Sequence, residues 1–118
     1  MRDTMMDFQG IYLVTGATDF RKGIDGYAGV IKSQLHREPT DHALYIFCNR
    51  NRTKIKCLYY DGPGFWLLYK RLNEGHFKWK LNETSGVVEI SEQQLRWLLE
   101  GLKIDQKTAF KKVDKSFC

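Results

Sequence analysis

Asp61-Gly62-Pro63-Gly64-Phe65-Trp66-Leu67-Leu68-Tyr69-Lys70-Arg71-Leu72 is a turn that runs straight into an aromatic strand with a cationic end. Proline fixes one φ near about −65° and the glycines on either side tolerate positive φ, so the chain reverses there. The residues after the turn are apolar, aromatic or cationic and predict a buried sheet strand. Upstream, Lys54-Ile55-Lys56-Cys57-Leu58-Tyr59-Tyr60 places Ile55, Cys57 and Tyr59 on one face and Lys54 and Lys56 on the other, which is expected to be the solvent face. Before it, the polar turn Arg50-Asn51-Arg52-Thr53 follows Ala43 to Asn49, a run apolar on both faces and therefore central. Downstream, Asn73-Glu74-Gly75 predicts a turn into a fourth strand, His76-Phe77-Lys78-Trp79-Lys80. Four consecutive strands with short connections predict an antiparallel meander.

The rest of the chain supplies the flanking elements. Ile11-Tyr12-Leu13-Val14, ended by Thr15-Gly16, reads as a first strand. A helix of about four turns should follow, capped by Thr18 or Asp19, with Ile24, Tyr27, Ala28, Ile31 and Leu35 at the 3.6-residue period. Gly23, Gly26 and Gly29 recur along one side of it. Helix formation disfavours them, so close packing on the sheet is expected, with a groove for a partner as the alternative. Val87 to Ile90 reads as a short edge strand. Ser91 with Gln94 forms a capping box for a second helix of about three turns, whose stripe is Leu95, Leu98, Leu99 and Leu102. The expected fold is α+β: a single domain at residues 11–102, built on a mostly antiparallel sheet of five or six strands with two helices packed on it. An N-terminal tail, 1–10, and a Lys-rich C-terminal tail, 103–118, flank it.

A chain of 118 residues suffices for one domain with a sizeable core. Cys48, Cys57 and Cys118 are an odd set without a C-x-x-C pair, so neither a disulfide framework nor a zinc site is indicated, and a cytoplasmic location is expected. No run of about 18 apolar residues and no apolar leader occurs, so membrane spanning and secretion are not expected. The net charge of +5 is unevenly spread, with eight cations against two anions in residues 50–80. Such a concentration attracts polyanions; it also keeps a sheet soluble.

Catalytic and cofactor chemistry finds little footing. Gly16 to Lys22 lacks the glycine before and the hydroxyl after the lysine that a P-loop needs, and it has one of the three glycines of a dinucleotide fingerprint. What survives is Arg21 and Lys22 in the first turn of a helix, where one phosphate can be held. His36, His42 and His76 stand apart from any nucleophile elbow or H-E-x-x-H spacing. Asp19, Asp25 and Asp61 with Glu74 or Glu89 can be drawn as a two-metal nuclease site, but Asp19 reads as a cap and Asp61 as a turn residue. A non-enzyme without cofactor or metal is therefore expected. The meander does interleave cations with rings, as sheets that bind nucleic acid do: Arg50, Arg52, Lys54 and Lys56, then Trp66, Tyr69, Lys70 and Arg71, then Lys78, Trp79 and Lys80. Most rings must build the core, so two or three at most should be exposed.

Four segments carry a resemblance: Ile11 to Gly26, Phe47-Cys48-Asn49-Arg50-Asn51-Arg52 with Lys54-Ile55-Lys56, Tyr59 to Gly62 with Gly64 to Leu72, and Leu95-Arg96-Trp97-Leu98-Leu99-Glu100-Gly101-Leu102. In order and spacing the chain resembles the small TnpB-like accessory protein of bacterial transposons of the insertion-sequence sixty-six type. It departs at Phe20, Pro63 and Lys80 to Gly86. The resemblance implies a role in transposition beside a separate transposase and other proteins of the same element, with no catalytic residues to carry over. Two functions follow as expectations. In the first, DNA is bound through Arg21, Lys22, Arg50, Arg52, Lys54, Lys56, Lys70 and Arg71, with Trp66 or Trp79 stacking. In the second, a protein-interaction module uses the aromatic sheet and the groove of Gly23, Gly26 and Gly29. Self-association is compatible with either.

Overall fold

The computed structural model describes residues 8–78 and 86–102. In chain order the elements are β1 (Ile11–Ala17), α1 (Ile24–Ser33), β2 (Leu44–Cys48), β3 (Lys54–Tyr60), β4 (Phe65–Arg71), β5 (Val87–Glu89) and α2 (Glu92–Leu99). The five strands form one sheet in the order β4-β3-β2-β1-β5. β1 and β2 are parallel, linked by the α1 crossover, and the other three pairings are antiparallel. The result is a mostly antiparallel α+β domain, as expected. The Leu44–Cys48 run is apolar on both faces because it is central, and all five of its residues are buried.

Two apolar clusters sandwich the sheet. On one face Val14, Tyr45, Phe47 and Leu58 meet Tyr27, Val30 and Ile31 of α1. On the other, Ile11, Leu13, Leu44, Ile46, Ile55, Cys57 and Tyr59 meet Leu98 of α2, with Leu95 and Leu99 packed against them. Period-2 alternation in β3 assigns Ile55, Cys57 and Tyr59 to the α2 side and leaves Lys54 and Lys56 on the α1 side. α2 opens with the expected capping box, Ser91 and Gln94 each bonding the other's backbone N–H.

Five expectations need correction. β4 is an edge strand rather than a buried one, and Trp66, Leu68 and Tyr69 are 38 %, 38 % and 55 % exposed because nothing described covers its outer side. The fourth meander strand is not formed over His76 to Lys78, and its remainder, Trp79 and Lys80, lies outside the described residues. There the chain crosses the end of β3, with Leu72 N–H donating to Thr53 O and Phe77 N–H to Arg52 O, while the Phe77 ring enters the core below α2. The N-cap of α1 is Gly23, which has no side chain to cap with, and Asp19 is already engaged with the backbone N–H and guanidinium of Arg21. The glycines do not pack on the sheet: a Cβ at Gly23 or Gly29 would meet nothing within 4 Å, and one at Gly26 would meet the Lys22 side chain at 2.9 Å. At the end of α2, Leu102 is exposed rather than part of the buried stripe.

Candidate nucleic-acid interface

The parallel pairing of β1 with β2 brings three connections to one end of the sheet. Ala17 lies opposite Cys48, Cys48 opposite Ile55, and Ile55 opposite Lys70. The loop from Thr18 to Gly23, the Asn49–Thr53 turn and the end of β4 therefore converge, and with them Arg21, Lys22, Arg50, Arg52, Lys54, Lys56, Lys70 and Arg71. The cations share an end rather than a face. Cross-strand register puts Lys54 beside Arg71 and Lys56 beside Tyr69 on the α1 side, whereas Trp66 and Lys70 point to the α2 side.

The turn that presents Arg50 is held by Asn49. Its Oδ1 accepts from the backbone N–H groups of Thr53 and Lys54 at 2.9 and 3.0 Å, and its Nδ2 donates to Thr53 Oγ1 at 3.1 Å. That wrap drives Arg52 to a φ of 60°, in the left-handed region. His76 Nδ1 lies 2.8 Å from Asn51 O, tying the following segment to the same turn. Arg50 and Arg71 are exposed, and Lys54 is half-buried.

Lys56, Arg21 and Lys70 are engaged within the chain. Lys56 Nζ donates to the carbonyls of Phe20 and Lys22 at 2.9 and 3.4 Å and sits near the Phe20, Tyr27 and Tyr69 rings, 5.2 to 5.9 Å from their centroids. It thus fastens the Thr18–Gly23 loop to the sheet instead of pointing to solvent as expected. Arg21 grips Asp19 in a bidentate pair, which lowers the Asp19 carboxyl to about 2, although the Arg21 side chain stays 90 % exposed. Arg21 and Lys22 precede α1 and do not sit in its first turn. Lys70 Nζ donates to Leu99 O at 2.7 Å, meeting the carbonyl end of α2, where a cation is favoured. Trp66 Nε1 donates to Asp61 Oδ2 at 2.7 Å, so that ring is tied to its own turn. Gly23 and Gly29 are exposed with open space where a Cβ would sit, and Gly26 lies against the Lys22 side chain.

Among the described residues Tyr69 is the exposed ring that shares the cationic side, whereas the sequence reading names it among the interleaved rings but gives the stacking to Trp66 or Trp79. Strand parity held the signal, since Tyr69 can lie beside Lys56 only if Trp66 faces away. Asn49 was missed as well, because an asparagine ending a strand looks like any turn residue until its bonds are seen. A cleft of 120 Å³ opens behind this end between β1 and α1, lined by Gly16, Thr18, Asp19 and Lys22 among others. A wider apolar groove of 330 Å³ lies between β4 and α2, lined by Phe8, Leu68, Leu95 and Leu99 among others. Among the described residues no three His, Cys, Asp or Glu side chains gather as metal ligands. No described helix is long and apolar enough to cross a membrane.

Residues 9–109 match the family model described as IS66 Orf2 like protein. The chain belongs to that family. Two proteins of Sinorhizobium fredii (strain NBRC 101917 / NGR234) are similar to it. Uncharacterized protein y4hO is 36 % identical over 92 residues, covering 78 % of this chain and 79 % of the relative. Uncharacterized protein y4jC is 28 % identical over 92 residues, covering 78 % of each. No solved structure matches the chain. The IS66 Orf2 family gives the chain a transposition-associated accessory role; it is an accessory family and not a known enzyme family. The matched span contains the whole cationic end together with both helices.

Proposed function

We propose that this IS66 Orf2-like protein is a non-enzymatic accessory factor that binds DNA through the end of its sheet. The observation that carries the reading is the convergence of Arg50, Lys54 and Arg71 with Tyr69 and the neighbouring Lys22 at one end, in a region with a large excess of cations over anions. Among the described residues, the side chains of Arg50, Lys54 and Arg71 make no ion pair or hydrogen bond, and they meet phosphates. Tyr69 offers a face for stacking against an unpaired base. Lys56 shapes the site from beneath by holding the Thr18–Gly23 loop.

Binding measured by fluorescence anisotropy against salt tests this. Each phosphate contact releases counterion, so log affinity falls with log salt by about 0.9 per contact on duplex DNA. Changing Arg50, Lys54 and Arg71 together to glutamine should flatten the slope by about 2.7 while the melting temperature holds. Absence of salt-dependent binding to both duplex and single-stranded DNA would sink the reading. A second reading, a module that grips the transposase, is favoured by the exposed Trp66 and Leu68 beside the apolar groove. It requires little DNA affinity at moderate salt and loss of partner binding in Trp66→Ala.

A further inference from the structure

We propose that β4 is a self-pairing edge through which two copies of this chain join into one continuous ten-stranded sheet. The inference stands on backbone parity and does not depend on DNA binding. In the β3–β4 ladder, Asp61 N–H donates to Gly64 O and Leu72 N–H to Thr53 O. Both pairs share the register of Lys54 with Arg71. Even-numbered residues of β4 therefore bond to β3, and the N–H and C=O groups of Phe65, Leu67, Tyr69 and Arg71 point to the edge that no described strand occupies. The strand has no proline and no bulge, pairs with β3 without a register break over all seven residues, and carries exposed Trp66, Leu68 and Tyr69. Edges that must stay solitary are usually shortened, bulged or charged along their length, and this one is charged at a single end.

The occupant that fits is a second copy running antiparallel. Centring the two-fold on Leu68 aligns the whole strand and sets Phe65 opposite Arg71 of the partner copy and Leu67 opposite Tyr69, both as hydrogen-bonded pairs. Trp66 then lies opposite Lys70, and Leu68 meets itself in a non-hydrogen-bonded pair. Each cation faces an aromatic ring and none faces another cation, a charge complementarity that a register shifted toward the Arg71 end loses. Directly opposed residues project to the same side, so both copies present Lys54 and Arg71 on one face of the joined sheet. The two Arg71 positions fall about 20 Å apart along the strands.

Sedimentation equilibrium and site-directed crosslinking test the edge. Wild-type protein should dimerise reversibly. Tyr69→Pro removes one outward N–H and leaves the β3 ladder intact, so it should raise the dimer dissociation constant at least about tenfold. In a Cys118→Ser background, Leu68→Cys brings two thiols to a Cα separation of about 4.5 Å, within disulfide reach. It should crosslink at least about tenfold faster under mild oxidation than Trp66→Cys, which is equally exposed but distant from its own mate. The native Cys48 and Cys57 are buried and stay out of the reaction. If Tyr69→Pro fails to fold, the two cysteine variants decide. A wild-type monomer at every concentration, equal crosslinking of the two variants, or a dimer that survives Tyr69→Pro would each overturn the proposal.

Discussion

Lys56 shows how a residue read as surface charge becomes part of the scaffold. Its alternation with Ile55 and Cys57 correctly assigns the side chain to the α1 face, but that face is roofed near Lys56 by the Thr18–Gly23 loop, whose carbonyls need a donor. Lys56→Met should therefore cost about 1–2 kcal/mol of stability, by leaving Phe20 O and Lys22 O without their charged donor. Lys54→Gln, one pleat away on the same face, should change stability by less than about 0.5 kcal/mol. Urea unfolding of the two variants checks this, and equal losses would mean that Lys56 is only a solvated cation. Asp19 is the counterpart: its bond to Arg21 was invisible to spacing rules that see a cap wherever aspartate precedes a helix.

Among the elements, α1 departs furthest from its sequence reading. Tyr27 and Ile31 of the predicted stripe do face the sheet, so the 3.6-residue period found that face, and Val30, outside the predicted stripe, joins them there. The glycine row then had to lie elsewhere on the cylinder, and it lies in solvent. Gly29 has an exposed position and an empty Cβ site, so Gly29→Ala should stabilise the protein by about 0.5–1 kcal/mol through reduced freedom of the unfolded chain. Thermal unfolding would register this as a higher midpoint, and a lower one would show that the row needs its bare backbone. Gly26 differs, since a side chain there would push Lys22 aside. β4 was read from its content alone. An apolar, aromatic strand is equally compatible with the centre and the edge of a sheet, and only the pairing order separates them.

At the scale of the whole molecule, the two clusters on either side of the sheet hold several groups that ionise with difficulty. Burial pushes the Cys48 and Cys57 thiols from 9.0 to about 12, and burial chiefly pushes the Tyr27 and Tyr45 hydroxyls from 10.0 to about 12. Each folded value lies above its unfolded one, so the unfolded chain loses these protons first as pH rises. Their contribution is complete below 9.0 and is lost progressively toward about 12. Urea midpoints measured from about pH 8 to about pH 11 should fall, and the fall should begin later in Cys48→Ala/Cys57→Ala. A flat profile would mean that the thiols reach water in the native state.

The sequence by itself determined the α+β class, the central Leu44–Cys48 strand, the capping box at Ser91, the two faces of β3 and the family, because each rests on local period, turn chemistry or motif order. Tertiary structure alone decided that β1 lies parallel to β2, that β4 closes one edge, and that the cations gather at an end of the sheet and not across a face. It also decided which of those cations are bound within the chain and which face solvent. Periodicity reports which side of an element is apolar. Which element stands beside it, and which carbonyl a lysine finds there, depends on long-range pairing that no local window contains.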